Sequence, residues 1–502
     1  MDIYKILEGH GLTELLHPAE YQMPEYTNWA LVREYLSDIV ENNRKTQIIG
    51  DYDVDGLMCN LIMKNSLRAL GCTNVFVHEY KQRTHTLEPT AIYECIQNRC
   101  DYCIICDCGS HDISLLRKLL AYGVKVILLD HHETLTTYDE FAAMGEIAVI
   151  NTVLEENKLE LSAGALCYTV MREMLKLYDV DEHGLAAFAI ISLYADCMDM
   201  HDYLNRSIYY LAHEIALEDI PAEVSMFMNK YHRLNARFIN FWFSPRINAM
   251  FRSEQLEVLN RLFLRDSVST AEIADDLEYL NQAYENIRDL ILKVSDIIEV
   301  DDLNTFVIGN LNTVNEYYNV SDNLLWNYTG LIANKLSDRY SKPAVVFCNY
   351  DSQIKGSLRD IFGRDFLTLF QQICRADGHL PAFGFKVRAL DFDEFMHMLK
   401  RLDKQLAISD AANKPIVIPY KFVSPDAGVI EDIAWVNEFA GPGVPMVLLQ
   451  KQRIGDIKER KTDYGFRYDW EGYVIESQHA IGFGQQMLLK PFKSWRTKLL
   501  VQ

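Results

Sequence analysis

The sequence predicts an α/β chain: a doubly wound parallel sheet, a helical linker, a second α/β unit and a β-rich C-terminal part. Three observations predict it. Between Thr46 and Asn151, short apolar runs alternate with stretches of helical length, as strands joined by crossover helices do. After Lys400 the pattern becomes short apolar runs at regular spacing, the mark of a small barrel or sandwich. The chain has 502 residues, too many for one core, so several domains are expected.

Taken in order, residues 1–45 form an N-terminal helical segment. QIIGDYD is a buried strand, and LMCNLIMKNSLRAL a helix ended by Gly71. NVFVHEY, DYCIICD, VKVILLDHH and IAVIN supply the second to fifth strands, with EPTAIYECIQNR and ISLLRKLLAYG as connecting helices. SAGALCYTVMREMLKL and GLAAFAIISLYADCMDM are two more helices, closing a unit at residues 46–205. Residues 206–300 are helical. There Leu277, Leu280, Tyr284, Ile287, Ile291, Val294 and Ile298 recur every three or four positions, so a long amphipathic helix is expected. Residues 301–400 return to α/β, with strands TFVIGN, PAVVFC and AFGFKV around the helix FLTLFQQIC. Residues 401–502 hold the β-rich runs KPIVIPYKFV, PMVLLQKQRI, YGFRYDW and GYVIES.

The net charge of −22 argues against indiscriminate coating of DNA or anionic membrane. It allows a narrow groove where a few cations and bound metals hold phosphate. The eleven cysteines are unevenly spaced, and many sit in apolar runs, which suits a reducing, cytoplasmic setting. No signal-peptide pattern appears, and no apolar run reaches the ~18 residues of a membrane span.

The stretch IIGDYDVDG places Asp51, Asp53 and Asp55 on alternate residues. On a strand these share one face, and they would converge where the strand ends. The third strand ends in Asp107, and the fourth in Asp130, His131 and His132. Ligands bind beyond the carboxyl ends of strands in open parallel sheets, so one rim collects all of them. Asp196 adds a carboxylate from an apolar helix, costly to bury unless paired. Alone, a DxDxD is often a turn or calcium loop, an HH pair a surface accident, and a helical Asp a cap. Together Asp53, Asp55, Asp107, His131 and Asp196 make an oxygen-rich set with one imidazole, suited to two Mn²⁺ or Mg²⁺ ions. Such a pair serves in-line phosphoryl displacement by water. A rival reading takes Cys100, Cys103, Cys106 and Cys108 as a zinc or iron–sulfur site. One strand points Cys103 away from Cys106 and Cys108, so buried thiols are the preferred reading.

GDYDVDG, DCG, LLDHH and Asp196 resemble the four motifs of the DHH phosphoesterases. SPRINAMFR, GSLRD, DGHLPAFGF and EFAGPGVPM resemble linker, DHHA1 and OB-like segments of the RecJ single-strand exonucleases. The resemblance implies a DHH catalytic domain at residues 46–205, a helical linker at 206–300, a DHHA1 domain at 301–400 and an OB-like domain at 401–502. It implies Mn²⁺- or Mg²⁺-dependent release of 5′-mononucleotides from single-stranded DNA, running 5′ to 3′. Single-stranded DNA is the implied partner, with RNA and a single-stranded-DNA-binding protein as further ones. Asp53, Asp55, Asp107, His131 and Asp196 would be metal ligands, with Asp51 and Asp130 orienting them from behind. His132 would touch the scissile phosphate. Ser357, Arg359 and His379 would hold phosphate oxygens; Arg246 and Asn248 would line the strand's path, and Arg83 would lie beside the active site. Ile49 stands where some DHH enzymes carry a metal-binding histidine. Phe251 replaces a glycine of the linker motif, and Asp377 the first glycine of the DHHA1 motif. Two alternatives remain: a DHH phosphodiesterase for short oligoribonucleotides, nucleoside bisphosphates or cyclic dinucleotides, and a non-catalytic DHH scaffold in a replication or repair complex.

Overall fold

In a computed structural model the described residues form three hydrogen-bonded sheets. The structure describes residues 3–81, 87–182, 184–228, 233–266, 268–314, 326–350, 352–360, 365–379, 382–405, 416–419, 427–440, 444–452, 458–462, 465–470, 473–477, 486–492 and 498–501. Two compact units emerge. The first comprises Met1–Phe251, Leu256–Ile273 and Pro415–Gln502; the second comprises Arg252–Gln255 and Ala274–Lys414.

In the first unit β1 (Thr46–Gly50), β2 (Val75–Val77), β3 (Tyr102–Cys106), β4 (Lys125–Asp130) and β5 (Ile147–Asn151) pair in parallel, in the order β2-β1-β3-β4-β5. Strands β1, β3 and β5 are buried along their whole length, as expected for a sheet covered on both faces. The helices expected at residues 57–70, 88–99 and 113–123 form as Val54–Ala69, Pro89–Gln97 and Ile113–Ala121. A short helix at Tyr138–Ala142, closed by a Thr137–Glu140 capping box, was not expected from the pattern. The helices Ala163–Leu177 and Leu185–Ala195 pack on the helix Val54–Ala69.

Two local expectations need correction. β1 stops at Gly50, so Asp51, Asp53 and Asp55 do not share a strand face. Asp53 caps the next helix by accepting from the Gly56 amide at 3.0 Å, and Asp55 lies in its first turn. The reversal is tight: a Cβ on Gly50 would stand 2.3 Å from the Gly56 carbonyl, and one on Gly56 2.4 Å from the Asp51 backbone. Asp196 is likewise not inside a helix; it is the C-cap of Leu185–Ala195. The cysteines of the 100–108 stretch are buried free thiols, and among the described residues no group able to share a metal ion includes a cysteine.

The long helix expected near residues 277–298 spans Thr270–Ile297, and the boundary between the units falls near its start. The second unit holds β6 (Glu299–Asp302), β7 (Val307–Asn310), β8 (Ala344–Tyr350), β9 (Gln353–Arg359), β10 (Arg375–His379) and β11 (Ala382–Arg388), in the order β10-β11-β9-β8-β7-β6. Among these described strands, only β7 and β8 pair in parallel. Strands β9 and β10 carry GSLR and DGH; glycine and charge hid them from an apolar count.

The C-terminal strands form a seven-stranded sheet, β12 (Ile416–Pro419), β13 (Val447–Gln452), β14 (Lys458–Thr462), β15 (Gly465–Trp470), β16 (Tyr473–Ser477), β17 (Gln486–Phe492) and β18 (Lys498–Val501). It belongs to the first unit, together with the helix Ala427–Val436. The Trp435 indole donates to the Leu15 carbonyl at 3.0 Å, and Tyr194 donates to the Glu438 carbonyl at 2.6 Å. Among the described residues, no helix is long and apolar enough to cross a membrane.

Candidate metal centre

The strand order β2-β1-β3-β4-β5 reverses between β1 and β3, and a crevice opens beyond the strand ends at such a switch. Asp51 and Asp53 follow β1, Asp107 follows β3, and Asp130, His131 and His132 stand at the end of β4. The His131 Nε2 lies 3.3 Å from Asp107 Oδ1, 3.4 Å from Asp196 Oδ2 and 3.9 Å from Asp55 Oδ2. Three overlapping groups place potential ligand atoms within 4.8 Å of one another: Asp107–His131–His132, Asp55–His131–Asp196 and Asp51–Asp53–Asp107.

Each donor is held by its own backbone context. Asp55 is buried against the start of the helix Ala163–Leu177. It accepts from the Ala163 and Gly164 amides, both at 2.9 Å, and from the Ser192 hydroxyl. A helix N-terminus offers free amides and favours negative charge. The fit is close, since a Cβ on Gly164 would meet Ser192 Oγ at 2.5 Å and Asp55 Oδ1 at 2.9 Å. Asp107 adopts φ +61°, a left-handed conformation uncommon outside glycine, where β3 gives way to the Cys108–Gly109 turn. Asp130 accepts from the Ser110 amide at 3.2 Å, the His131 amide at 2.8 Å and the His132 Nδ1 at 2.8 Å. Asn151, fully buried, donates to the His132 carbonyl at 3.0 Å and to Ser110 Oγ at 3.1 Å. The histidine loop is thereby pinned from two strands.

Burial pushes the carboxyls of Asp55 and Asp107 well above the ordinary range. The neighbouring charges add to it: Asp196 and Asp53 for the first, Asp55, Asp53, Asp51 and Asp196 for the second. Such crowding favours either bound protons or bound cations. The donor set is carboxylate oxygen with one imidazole, which fits Mn²⁺ or Mg²⁺ rather than a thiolate-seeking ion. Burial raises Asp130, but the His132 charge and its hydrogen bond, hydrogen bonding from Ser110 and the His131 charge outweigh it and hold it below the carboxylate range. Burial lowers His132, yet the Asp130 charge and hydrogen bond, with Asp196 and Asp51, raise it to about 10. The His132 side chain is half exposed.

Residues 45–198 match the family model "DHH family, N-terminal domain". That stretch is about a third of the chain, and most of the chain is similar to the RecJ exonucleases. The single-stranded-DNA-specific exonuclease RecJ of Bacillus subtilis (strain 168) is 23% identical over 457 residues, 84% of this chain and 54% of the relative. The chain therefore spans about half the length of that relative. RecJ of Escherichia coli (strain K12) is 22% identical over 84% of this chain and 78% of its own. The crystal structure of RecJ in complex with Mn²⁺ from Thermus thermophilus shares the fold, with a TM-score of 0.73 at 17% identity. That match covers 99% of this chain and 74% of the other.

The remaining site expectations fall as follows. Arg246 is 3% exposed, in the helix Ser244–Arg252; its guanidinium lies 3.5 Å over the Trp242 ring and donates to the Trp242 carbonyl at 2.9 Å. Asn248 is partly exposed on the same helix. Ser357 and Arg359 are on β9, and His379 ends β10. Arg83 and the side chain of His379 lie outside the described residues. Phe251 packs on Tyr80 (4.9 Å between ring centroids) and Tyr52 (6.4 Å), so its ring fills space beside the Asp51–Asp53 turn.

Sequence reasoning missed Ser192 and Gly164, which hold Asp55, Ser110, which holds Asp130, and Asn151, which holds the His132 carbonyl. It also missed a buried brace behind the turn. The Tyr52 hydroxyl donates to Glu88, and His78 lies between Glu88 at 3.1 Å and Glu94 at 2.8 Å. The signal available was the SAG helix start, since serine before a helix is an N-cap.

Proposed function

We propose that this protein is a metal-dependent single-strand exonuclease. It hydrolyses single-stranded DNA from the 5′ end toward the 3′ end and releases 5′-mononucleotides. The convergence of Asp55, Asp107, His131 and Asp196 within 4 Å contacts, beside Asp51 and Asp53, is the observation that carries it. The names of the RecJ relatives support the substrate class, and the resemblance supports the polarity. Asp53, Asp55, Asp107, His131 and Asp196 would hold two Mn²⁺ or Mg²⁺ ions. Such a pair, when bound, supplies positive charge to the phosphoryl group and lowers the pKa of water.

The chain's own residues do the rest. Asp55 is fixed by two amides and a hydroxyl, so its carboxylate needs no reorganisation on loading. Asp130 holds the backbone and Nδ1 of His132, which leaves the half-exposed imidazole to meet a phosphate oxygen. Asp51 would orient neighbouring acids from within the same turn. Ser357, Arg359 and His379 would hold phosphate oxygens of the strand; Arg246 and Asn248 would line its path, and Arg83 would serve beside the active site. The residue ranges 46–205, 206–300, 301–400 and 401–502 would be the DHH, linker, DHHA1 and OB-like domains. The intact acid set favours hydrolysis over a scaffold role.

End-labelled oligonucleotides, DNA and RNA, tested with Mn²⁺, Mg²⁺ or chelator, check this reading. Mononucleotide release from 5′-labelled single-stranded DNA, abolished by chelator, is expected. Turnover confined to dinucleotides or cyclic dinucleotides, or cleavage unaffected by chelator, overturns it.

A further inference from the structure

β9 reads QIKGSLR, and its side chains alternate in environment. Ile354 and Leu358 are buried in a core with Phe306, Phe370 and Phe385. Lys355, Ser357 and Arg359 face the other way. On β9 that face carries two cations and no acid, in a chain of net charge −22. Tyr350 lies on it too, because Cys348 pairs with Lys355 and Tyr350 stands two residues further along β8.

Trp326 completes the group. Its ring meets Tyr350 edge-on, with centroids 5.7 Å apart. The Lys355 Nζ lies 3.5 Å from the Tyr350 centroid and 4.2 Å from that of Trp326. All three side chains are partly exposed. Toward the other end of β9, Ser357 Oγ and Thr329 Oγ1 are 2.9 Å apart, and a Cβ on Gly330 would stand 2.7 Å from the Arg359 Nη2. Lys355 and Arg359 are four residues apart, roughly 13 Å along a strand. The sequence thus runs aromatic pair, cation, hydroxyls, cation along one face of one unit.

We propose that Trp326, Tyr350 and Lys355 form a nucleobase subsite, at which one base of a single strand stacks while Lys355 meets the adjoining phosphate. A π-face accepts any base, and the ammonium contributes charge without reading sequence, so the subsite is sequence-tolerant. The assignment rests on the single-strand reading proposed above and adds to it a specific point of base contact.

The test is binding of a fluorescent oligothymidylate, and of an abasic oligomer of equal length, by the full chain with Ca²⁺ present. Trp326→Ala and Tyr350→Ala are expected to weaken oligothymidylate binding by about 5- to 100-fold. Trp326→Phe should retain near wild-type affinity. On the abasic oligomer the wild type should bind weakly, and Trp326→Ala should cost nothing further. Unchanged oligothymidylate affinity in both alanine variants overturns the subsite. So does an equal loss on both oligomers, because that marks a structural role. Cleavage of the oligothymidylate by the wild type with Mn²⁺ is measured alongside. No cleavage overturns the proposed reaction, whereas cleavage with unaltered variant affinity overturns the subsite alone.

Discussion

Asp107 concentrates the electrostatic problem of this protein. It is 2% exposed, in a left-handed backbone conformation, 3.3 Å from His131 and ringed by other carboxylates. Asp107→Ala is expected to reduce Mn²⁺-dependent cleavage by about a thousandfold or more. It should also abolish the rise in Tm that Mn²⁺ gives the wild type, while leaving the Tm in chelator no lower. Wild-type turnover in the variant defeats the assignment. The crowding also sets a pH dependence. A carboxyl whose pKa is raised on folding binds more protons folded than unfolded, so its contribution to stability falls as pH rises. Asp55 and Asp107 start from an ordinary value of 3.8 and are both raised. In chelator, stability should therefore decline as pH climbs above about 4 and through their folded pKa values. The Mn²⁺-induced gain in Tm should grow over the same interval, because ions there no longer compete with protons. Urea melts across pH, with and without Mn²⁺, read both effects. Asp196 was legible at this scale because a carboxylate in an apolar segment is anomalous. Ser192 was not, because its bond to Asp55 spans 137 residues.

At the scale of elements, the start of the helix Ala163–Leu177 and the turn Gly50–Gly56 form the floor of the site. Gly164→Ala would drive a methyl against Ser192 and Asp55. Its expected consequence is an Mn²⁺ affinity about 10- to 100-fold weaker, as for other groups that orient metal ligands. Isothermal titration measures it, and unaltered affinity would show that Asp55 placement is tolerant. Phe251 is 1% exposed among Tyr52 and Tyr80, so Phe251→Ala should destabilise the first unit by about 3–5 kcal/mol in urea unfolding. A loss below about 1 kcal/mol would contradict this packing. The strands of the parallel sheet were legible because each is a continuous apolar run. The DxDxD was placed correctly on the rim for a mistaken reason. A period of two also fits a turn and helix cap, and only the close approach of Gly50 to Gly56 decides between them. β9 and β10 were missed because glycine and polar residues dilute their pattern.

For the whole molecule, charge limits how nucleic acid can be held. With −22 overall, the proposed binding of a single strand would rest on a few cations rather than a broad basic surface. Log affinity for oligothymidylate against log salt should therefore have a shallow slope, about −1.5 to −3, corresponding to two to four phosphate contacts at roughly −0.7 each. A slope steeper than about −5 would indicate an extended basic footprint. The C-terminal sheet shares a unit with the parallel sheet, although most of the second unit separates them along the chain. The buried Tyr194–Glu438 bond ties this part of the chain to the helix that Asp196 caps.

By itself the sequence determined the parallel sheet, the acids and histidines of the candidate metal centre and the likeness to the DHH motifs, because apolar periodicity and short motifs are local properties. Only the tertiary structure decided how those acids are held and which face of β9 joins Lys355 to Trp326 and Tyr350. Hydrogen bonds and ring contacts between segments far apart in the chain leave no periodic trace along it.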